Sequence, residues 1–250
     1  MLSANMAMAQ NTRFTLTGGW SFPMGEFAQS DLASNQWGLA TKGPWGGAGQ
    51  GGMLGVQWCR PMSDYDHLSL LLSFDFIYND MGSDIKTSLF ETRKALESNF
   101  SEVKFTLPGY INLPLMAGLR YEWPTTNGRC FFVEAQAGAD CLIVTDRGAT
   151  LRDGQQPLVI QGQTLYDYIY TDHYTTTVAV AFHLGVGYRF AWRWQFDAGL
   201  WYLGSHQISG VEDYSVNTHP YPADLTDGKQ NFLLGEITPI MITTLIGFKL

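Results

Sequence analysis

Eight segments of the chain alternate apolar and polar residues with a period of two, as a β-strand with one apolar face does. In the clearest segment, Leu70 and Leu72 point to one face while Ser69 and Ser73 point to the other. Each segment is close to the about 9–11 residues that a tilted strand needs to cross a bilayer. The predicted strands are 13–20, 48–59, 67–78, 110–123, 130–143, 176–190, 192–203 and 238–250.

The connections between these segments alternate strictly between long and short. Those after the first, third, fifth and seventh strands have about 27–34 residues, whereas the other three have about seven, six and one. Short turns at one end and long loops at the other are typical of outer-membrane barrels, with the short turns in the periplasm. The sequence therefore predicts an all-β fold, a transmembrane eight-stranded antiparallel up-and-down β-barrel with long extracellular loops, short periplasmic turns and both termini periplasmic.

Composition is consistent with one domain in a membrane. The 250 residues are 45% hydrophobic and only 15% charged. The sequence contains no uninterrupted run of about 18–20 apolar residues, which is the length that a transmembrane helix needs. A net charge of −8 argues against nucleic acid as a partner. We expect residues 1–9 to be a residual signal peptide, with Ala7-Met8-Ala9 as the cleavage motif, and residues 10–250 to be the barrel domain.

Three cysteines give no metal motif. Cys59, Cys130 and Cys141 show neither CxxC spacing nor a nearby pair of histidines, so the sequence predicts no metal site and no full disulfide framework. Cys59 and Cys130 both fall near the periplasmic rim, and whether they pair stays open.

Aromatic residues fall at the two ends of the predicted strands, where girdles contact the membrane interfaces. The predicted girdle residues are Trp20, Trp58, Tyr78, Tyr121, Trp123, Trp194, Tyr202 and Phe248.

The opening strand at 14–20, the 111–115 strand start and the closing Gly247-Phe248-Lys249-Leu250 resemble the eight-stranded OmpA/OmpX-like outer-membrane barrels. The similarity is strongest to the outer-membrane β-barrel domain proteins of Bacteroidota, PorT-like ones among them. It implies a porin-like fold at the cell surface of a Gram-negative bacterium, with lipid and lipopolysaccharide around the barrel. The chain departs from this pattern in ending on Leu250, where such barrels often end in an aromatic residue.

Strand parity points one dense set of titratable side chains into the barrel. Because eight strands enclose an interior only just wide enough for side chains, we expect these groups to fill it as paired ions. The predicted lumen cluster is Asp75, Arg120, Glu122, Glu134, Asp140, His183, Arg189, Asp197 and Lys249.

The third long connection carries alternating tyrosines, Tyr166, Tyr168, Tyr170 and Tyr174. This pattern predicts strands that continue beyond the membrane, with a tyrosine face that either binds a partner or packs loop against loop. The adjacent Asp172 and His173 are too few to form a metal site.

The second long connection has apolar residues near helical spacing, Ile85, Leu89, Leu96 and Phe100, with Ser83 or Asp84 as a possible N-cap. The spacing predicts a short helix that covers the barrel mouth.

These features favour a structural or binding role through the extracellular loops: surface recognition, adhesion, or membership of an envelope or secretion assembly with a protein partner. A narrow channel for ions or very small solutes is the alternative. No serine, histidine and acid show catalytic spacing, so a lipid-modifying enzyme is less favoured, and no cofactor is expected. A lipocalin-type soluble barrel would share the strand number but have its faces reversed.

Overall fold

The computed structural model describes residues 12–29, 46–62, 67–125, 129–156, 158–160, 163–190, 193–218 and 225–250. The elements are β1 (Arg13–Met24), α1 (Gly25–Ala28), β2 (Ala48–Pro61), β3 (Leu68–Met81), α2 (Ser83–Leu96), β4 (Glu102–Thr106), β5 (Tyr110–Asn112), β6 (Leu115–Pro124), β7 (Cys130–Val144), β8 (Arg147–Arg152), β9 (Leu158–Ile160), β10 (Gln163–Leu165), β11 (Asp167–Tyr174), β12 (Thr177–Arg189), β13 (Trp194–Tyr202), β14 (His206–Asn217), β15 (Leu225–Ile237) and β16 (Ile240–Lys249). Residues 1–11, which include the predicted signal peptide, lie outside the described residues.

A closed antiparallel β-barrel forms the body of the protein. Its eight wall positions are β1, β2, β3, β5 with β6, β7, β12, β13 and β16, and β1 closes the barrel by pairing with β16. Each strand lies beside its neighbour in the chain, as the alternating connections predict. The prediction of an eight-stranded up-and-down barrel is confirmed.

At the fourth wall position the sequence pattern predicts one continuous strand, residues 110–123, whereas the structure has two strands in line. The structure divides it into β5 and β6 because Pro114 has no N–H to give to the sheet. The ladder still holds across the break: Leu113 N donates to the Cys141 carbonyl at 3.0 Å, and Asp75 N donates to the Pro114 carbonyl at 3.1 Å.

The barrel is apolar outside and polar inside. Val178 is 70% exposed and Leu54 66% exposed on the outer surface, whereas Asp75 and Thr243 are buried in the interior. A soluble barrel has the opposite polarity, because its outer surface must face water. The lipocalin alternative is therefore wrong.

Five wall positions continue past the barrel as a second, five-stranded sheet, which we call the outer sheet. Its order is β15-β14-β11-β8-β4, and it stands above β16, β13, β12, β7 and β5. The joint from β13 to β14 needs Gly204, whose φ of +88° places it in the left-handed region that glycine tolerates. Much of the third and fourth long connections is therefore paired as sheet, and the third contains the strands beyond the membrane that its tyrosine pattern predicts.

Helix α2 in the second long connection is confirmed, but its predicted N-cap is wrong. Gly82 occupies the N-cap position, without a side-chain capping bond, and its N–H is tied to the Gly47 carbonyl at 2.7 Å. Ile85 and Leu89 are buried on the helix as the spacing predicts.

Two apolar clusters lie at the loop end, which we define as the barrel end opposite the short turns and the C-terminus. The mouth cluster fills the top of the barrel and includes Phe27, Ile85, Tyr110, Leu142, Leu203, Ile208 and Ile237. The outer cluster lies against the outer sheet and contains Phe100, Val103, Ala149, Leu151, Leu165, Tyr168 and Tyr170. Helix α2 joins them, because Ile85 belongs to the mouth cluster while Leu96 packs on the outer cluster.

Candidate functional sites: the barrel interior and the outer sheet

Arg120 stands at the centre of the barrel interior and is 2% exposed. Its Nε and Nη2 donate to Glu134 Oε2 at 2.9 and 2.6 Å, and Nη2 also donates to Gln57 Oε1 at 2.8 Å. The guanidinium lies 4.2 Å from the centre of the Phe132 ring. A buried ion pair is tolerable only with such additional hydrogen bonds and contacts, so this arrangement fills and ties the lumen.

His183 extends this network across the barrel. Its Nδ1 lies 3.0 Å from Gln136 Nε2, and its ring stacks on Trp201 at 4.0 Å between centroids. Trp201 Nε1 donates to Thr243 Oγ1 at 3.0 Å. The contacts link β7, β12, β13 and β16 through side chains inside the wall.

Two further predicted residues, Asp75 and Asp197, are buried beside this network. Asp197 Oδ2 accepts from Gln195 Nε2 at 2.8 Å. The carboxylate of Asp75 occupies the space that a side chain at residue 55 would need, so Gly55 is what lets Asp75 point inward. We call Arg120, Glu134, His183, Asp75 and Asp197 the central charge group.

The other predicted lumen charges lie apart from this group. At the turn end, Glu122 accepts from Arg13 Nη1 at 2.6 Å and from Arg189 Nη2 at 3.2 Å, and the charge of Lys249 lies nearby. Arg13 is absent from the predicted cluster, although its alternation with Phe14 would have placed it inside.

Asp140 lies at the loop end, where it pairs with a histidine that the sequence did not single out. His206 Nε2 is 3.3 Å from Asp140 Oδ2 and 2.9 Å from the Leu203 carbonyl. Both are acceptors, so Nε2 carries a hydrogen, and Nδ1 lies 2.9 Å from Thr177 Oγ1. The predicted single cluster is therefore three separate groups at different depths of the barrel. They are separate because each strand runs the length of the barrel, so charged residues along it lie at different depths.

The tyrosines of β11 do not form an exposed face. Tyr168 and Tyr170 are only 8% and 7% exposed and lie in the outer cluster, with their ring centroids 5.3 Å apart. Tyr174 is half-buried against Phe232 at 5.7 Å, and Tyr166 is half-buried. For Tyr168 and Tyr170 the partner-binding alternative is wrong, because the outer sheet needs their rings as its core.

Between these rings runs a row of polar side chains. Arg147 Nε lies 3.4 Å from Asp172 Oδ2, and Arg147 Nη2 donates to the Tyr170 hydroxyl at 3.2 Å. Tyr174 donates to Asp172 Oδ2 at 3.4 Å. Burial raises the pKa of Asp172, an effect that the Arg147 guanidinium opposes.

Asp172 and His173 do not share a site. Asp172 contacts Arg147, whereas His173 Nδ1 lies 3.0 Å from Asp146 Oδ2. Consecutive residues of a strand point to opposite faces, so the two side chains are separated by the sheet. Within the described ranges no group of three or more histidine, cysteine or acidic residues could hold a metal ion. Cys59 and Cys130 are buried with free thiols.

Aromatic rings surround the outside of the barrel at both ends. Tyr121 meets Trp123 at 4.7 Å and Trp194 meets Phe248 at 4.9 Å at the turn end, and Tyr202 faces outward at the loop end. Of the remaining predicted girdle residues, Trp20 and Tyr78 are exposed and Trp58 is half-exposed. Such rings lie at the level of lipid headgroups when an apolar band separates them.

An apolar band between two aromatic girdles, around a polar and charged interior, defines a transmembrane β-barrel. None of the helices among the described residues is long and apolar enough to span a bilayer. No protein-family model and no curated protein matches the sequence.

The chain is similar to solved structures of three outer-membrane proteins. OprG from Pseudomonas aeruginosa is 14% identical over 95% of each chain, with a TM-score of 0.42. A major outer membrane protein from Thermus thermophilus is 11% identical over 96% of this chain and 99% of that chain, with a TM-score of 0.45. Neisserial surface protein A is 10% identical over 96% of this chain and 97% of that chain, with a TM-score of 0.37.

The packing of the outer cluster leads to a testable prediction about the stability of the outer sheet. Leu151 is fully buried, so Leu151→Ala should weaken the outer sheet by about 2–5 kcal/mol through the cavity it leaves. We expect faster protease cleavage in residues 147–174, with unchanged gel migration of the unheated barrel. Val159→Ala is the matched control, since Val159 is 67% exposed. Equal cleavage rates for the two variants would contradict a packed outer sheet.

Proposed function

We propose that this protein is an outer-membrane β-barrel that anchors a surface-exposed binding module, the outer sheet. The observation that supports this best is the outer sheet itself, in which the chain of five barrel strands continues beyond the barrel and pairs again as a sheet. It has its own apolar core. A folded projection on a filled barrel suits recognition, adhesion or assembly better than transport.

The location and orientation are part of the proposal. Closed barrels with a polar interior cross the outer membranes of Gram-negative bacteria, which suggests that both termini are periplasmic and that the outer sheet is extracellular. Outer-membrane lipid and lipopolysaccharide would then surround the girdles. The opening and closing strands support membership of the Bacteroidota PorT-like type, with a protein partner in an envelope assembly.

The binding role is tested by shortening the outer sheet. A variant in which residues 207–236 are replaced by a short turn keeps every wall position and removes β14 and β15 from the outer sheet. We expect chemical crosslinking on intact cells to capture a partner with the full protein and to lose that partner with the shortened one. Identical crosslinked partners for both proteins would overturn the proposal, provided that both show heat-modifiable migration.

The lumen predicts that the barrel does not conduct ions. Arg120 and Glu134, on the adjacent strands β6 and β7, are paired in its interior, and the mouth cluster, which includes Leu142 and Ile208, fills the loop end. Planar bilayers with the purified protein should therefore show no reproducible single-channel steps. Steps whose size changes in Arg120→Ser would favour the channel instead.

We further propose that the protein has no enzymatic role. A deletion strain should keep the wild-type profile of lipid A and phospholipids by mass spectrometry. A lipid species that appears or disappears in the deletion strain, and is restored by the gene, would contradict this.

A further inference from the structure

One polar row crosses the inner face of the outer sheet, which is the face that carries Tyr168 and Tyr170. Arg147 of β8 is the cross-strand partner of Asp172 in β11, and Asp172 is also the partner of Glu212 in β14. Glu212 is in turn the partner of Gln230 in β15. Cross-strand partners on one face have Cβ atoms about 4.5–5.5 Å apart, so the four side chains form a continuous line.

The charges along this row do not balance. Arg147 neutralises Asp172, from which it is 3.4 Å away, but the next position holds a second carboxylate. Like charges directly opposite each other on a sheet are unfavourable. Asp172 is 5% exposed, and its Oδ1 has no hydrogen-bond partner within the described part of the chain. A buried, unsatisfied carboxylate oxygen beside another carboxylate indicates a place for a donor with positive charge.

Aromatic rings border the row on both sides. Tyr170 and Tyr214 are cross-strand partners on the side away from the barrel. Tyr174 and Phe232 meet edge to face at 5.7 Å on the side toward it. The faces of such rings attract cations, and this attraction is stronger where water is partly excluded.

The row is closed at one end and open at the other. Asp172 is buried, Glu212 is half-buried and Gln230 on β15 is exposed. A ligand group that enters beside Gln230 would therefore reach Glu212 first and Asp172 behind it.

We infer that this row is a binding site for a primary ammonium group, such as the side chain of an exposed lysine on a partner. The ammonium would donate to the Glu212 carboxylate and to Asp172 Oδ1, with Tyr174 and Phe232 beside its methylene groups. Three N–H donors match the free acceptors, whereas a quaternary ammonium has none to give. The inference rests on the proposed function, because it names the chemistry that the outer sheet would recognise.

The protonation of Glu212 supports the same assignment. Burial raises the pKa of Glu212, the charge of Asp172 raises it further, and Arg147 opposes both effects. The other titratable groups that face the row are Tyr168, Tyr170, Tyr174 and Tyr214. Because only the ionised carboxylate attracts an ammonium, binding should weaken as pH falls, and should do so at a higher pH than an ordinary glutamate would give.

The test uses the full chain in detergent micelles and a fluorescent, N-acetylated Gly-Lys-Gly amide as the probe. Fluorescence anisotropy should show saturable binding that falls about tenfold or more in Glu212→Gln and in Asp172→Asn, as expected for losing a charge-assisted hydrogen bond. Glu236→Gln, an exposed acid on β15, should leave binding unchanged. Peptides with norleucine or trimethyllysine in place of lysine should bind at least tenfold more weakly.

Three results would overturn the inference: no binding of the lysine peptide, equal binding by Glu212→Gln, or equal binding of the trimethyllysine peptide. Both carboxamide variants must show wild-type heat-modifiable migration, which separates loss of the site from loss of the fold. The proposed function is tested separately. If crosslinking still depends on residues 207–236 while the lysine peptide does not bind, the ammonium site fails and the binding role of the outer sheet stands.

Discussion

Arg120→Met should lower the stability of the folded barrel by about 3–5 kcal/mol, which is the cost of leaving a buried partner charge without its counter-ion. Glu134 would lose the Nε and Nη2 hydrogen bonds at 2.9 and 2.6 Å, and Gln57 would lose its donor. Methionine roughly keeps the volume and the contact with Phe132, so lost packing contributes little. Unfolding by urea from lipid vesicles, followed as the fraction with heat-modifiable migration, should show the transition at lower urea concentration.

A matched control separates this effect from any loss of an arginine. Arg93 pairs with Glu97 on exposed α2, where both side chains are about half-exposed, and such pairs contribute only about 0.3–0.5 kcal/mol. Arg93→Met should therefore unfold at the same urea concentration as the wild-type protein. In a second comparison, Arg120→Met with Glu134→Gln should recover part of the loss, since both buried charges are gone. A wild-type transition for Arg120→Met would refute a structural role for the central charge group.

Leu184→Arg should cost about 2–4 kcal/mol, because it places a charge on the lipid-facing surface within the apolar band. Leu184 is 60% exposed on the outer surface and lies between Tyr188 at the turn end and the Phe182–Tyr202 pair at the loop end. The same urea experiment measures the change.

Trp194→Arg is the control at a girdle position of the turn end, where Trp194 is exposed beside Phe248; an arginine there can reach the headgroups, and the expected cost is about 0–1 kcal/mol. A soluble barrel would show the opposite outcome, since an arginine at an exposed position in water costs little. Equal stabilities of Leu184→Arg and wild type would therefore contradict the membrane assignment.

The barrel could be predicted from the sequence because its signal is local. Alternation of period two, as at Leu70 and Ser69, assigns each side chain to a face without knowledge of the neighbouring strand. Strand order then follows from the short turns. The outer sheet was harder to predict, because β8 and β14 mix charges and small residues without a clear apolar face, and because the joints before them have only two or three residues. Only the tyrosines of β11 signalled that strands continue.

The sequence predicts which side chains point into the lumen, but not which of them contact each other. The alternation along each strand places Arg120 and Glu134 inside, but which charges meet depends on the strand registers, which only the tertiary fold sets. Glu122 meets Arg13, more than a hundred residues away, only because the curvature of the closed barrel brings β1 and β6 close across the interior. His206 lies beyond the end of the predicted seventh strand, so no strand pattern could have assigned it to Asp140. The row of Arg147, Asp172 and Glu212 likewise exists only once three strands are in register.

The way the outer sheet grows out of the wall also determines how it transmits mechanical load. Each of β8, β11, β14 and β15 runs into a barrel strand after two or three residues, so a pull on the sheet along its strands passes directly into the barrel wall. Interstrand hydrogen bonds lie perpendicular to the strands, and such a pull therefore loads many of them together in shear instead of peeling them apart one by one. A load applied to these strands therefore reaches the barrel wall across joints of only two or three residues.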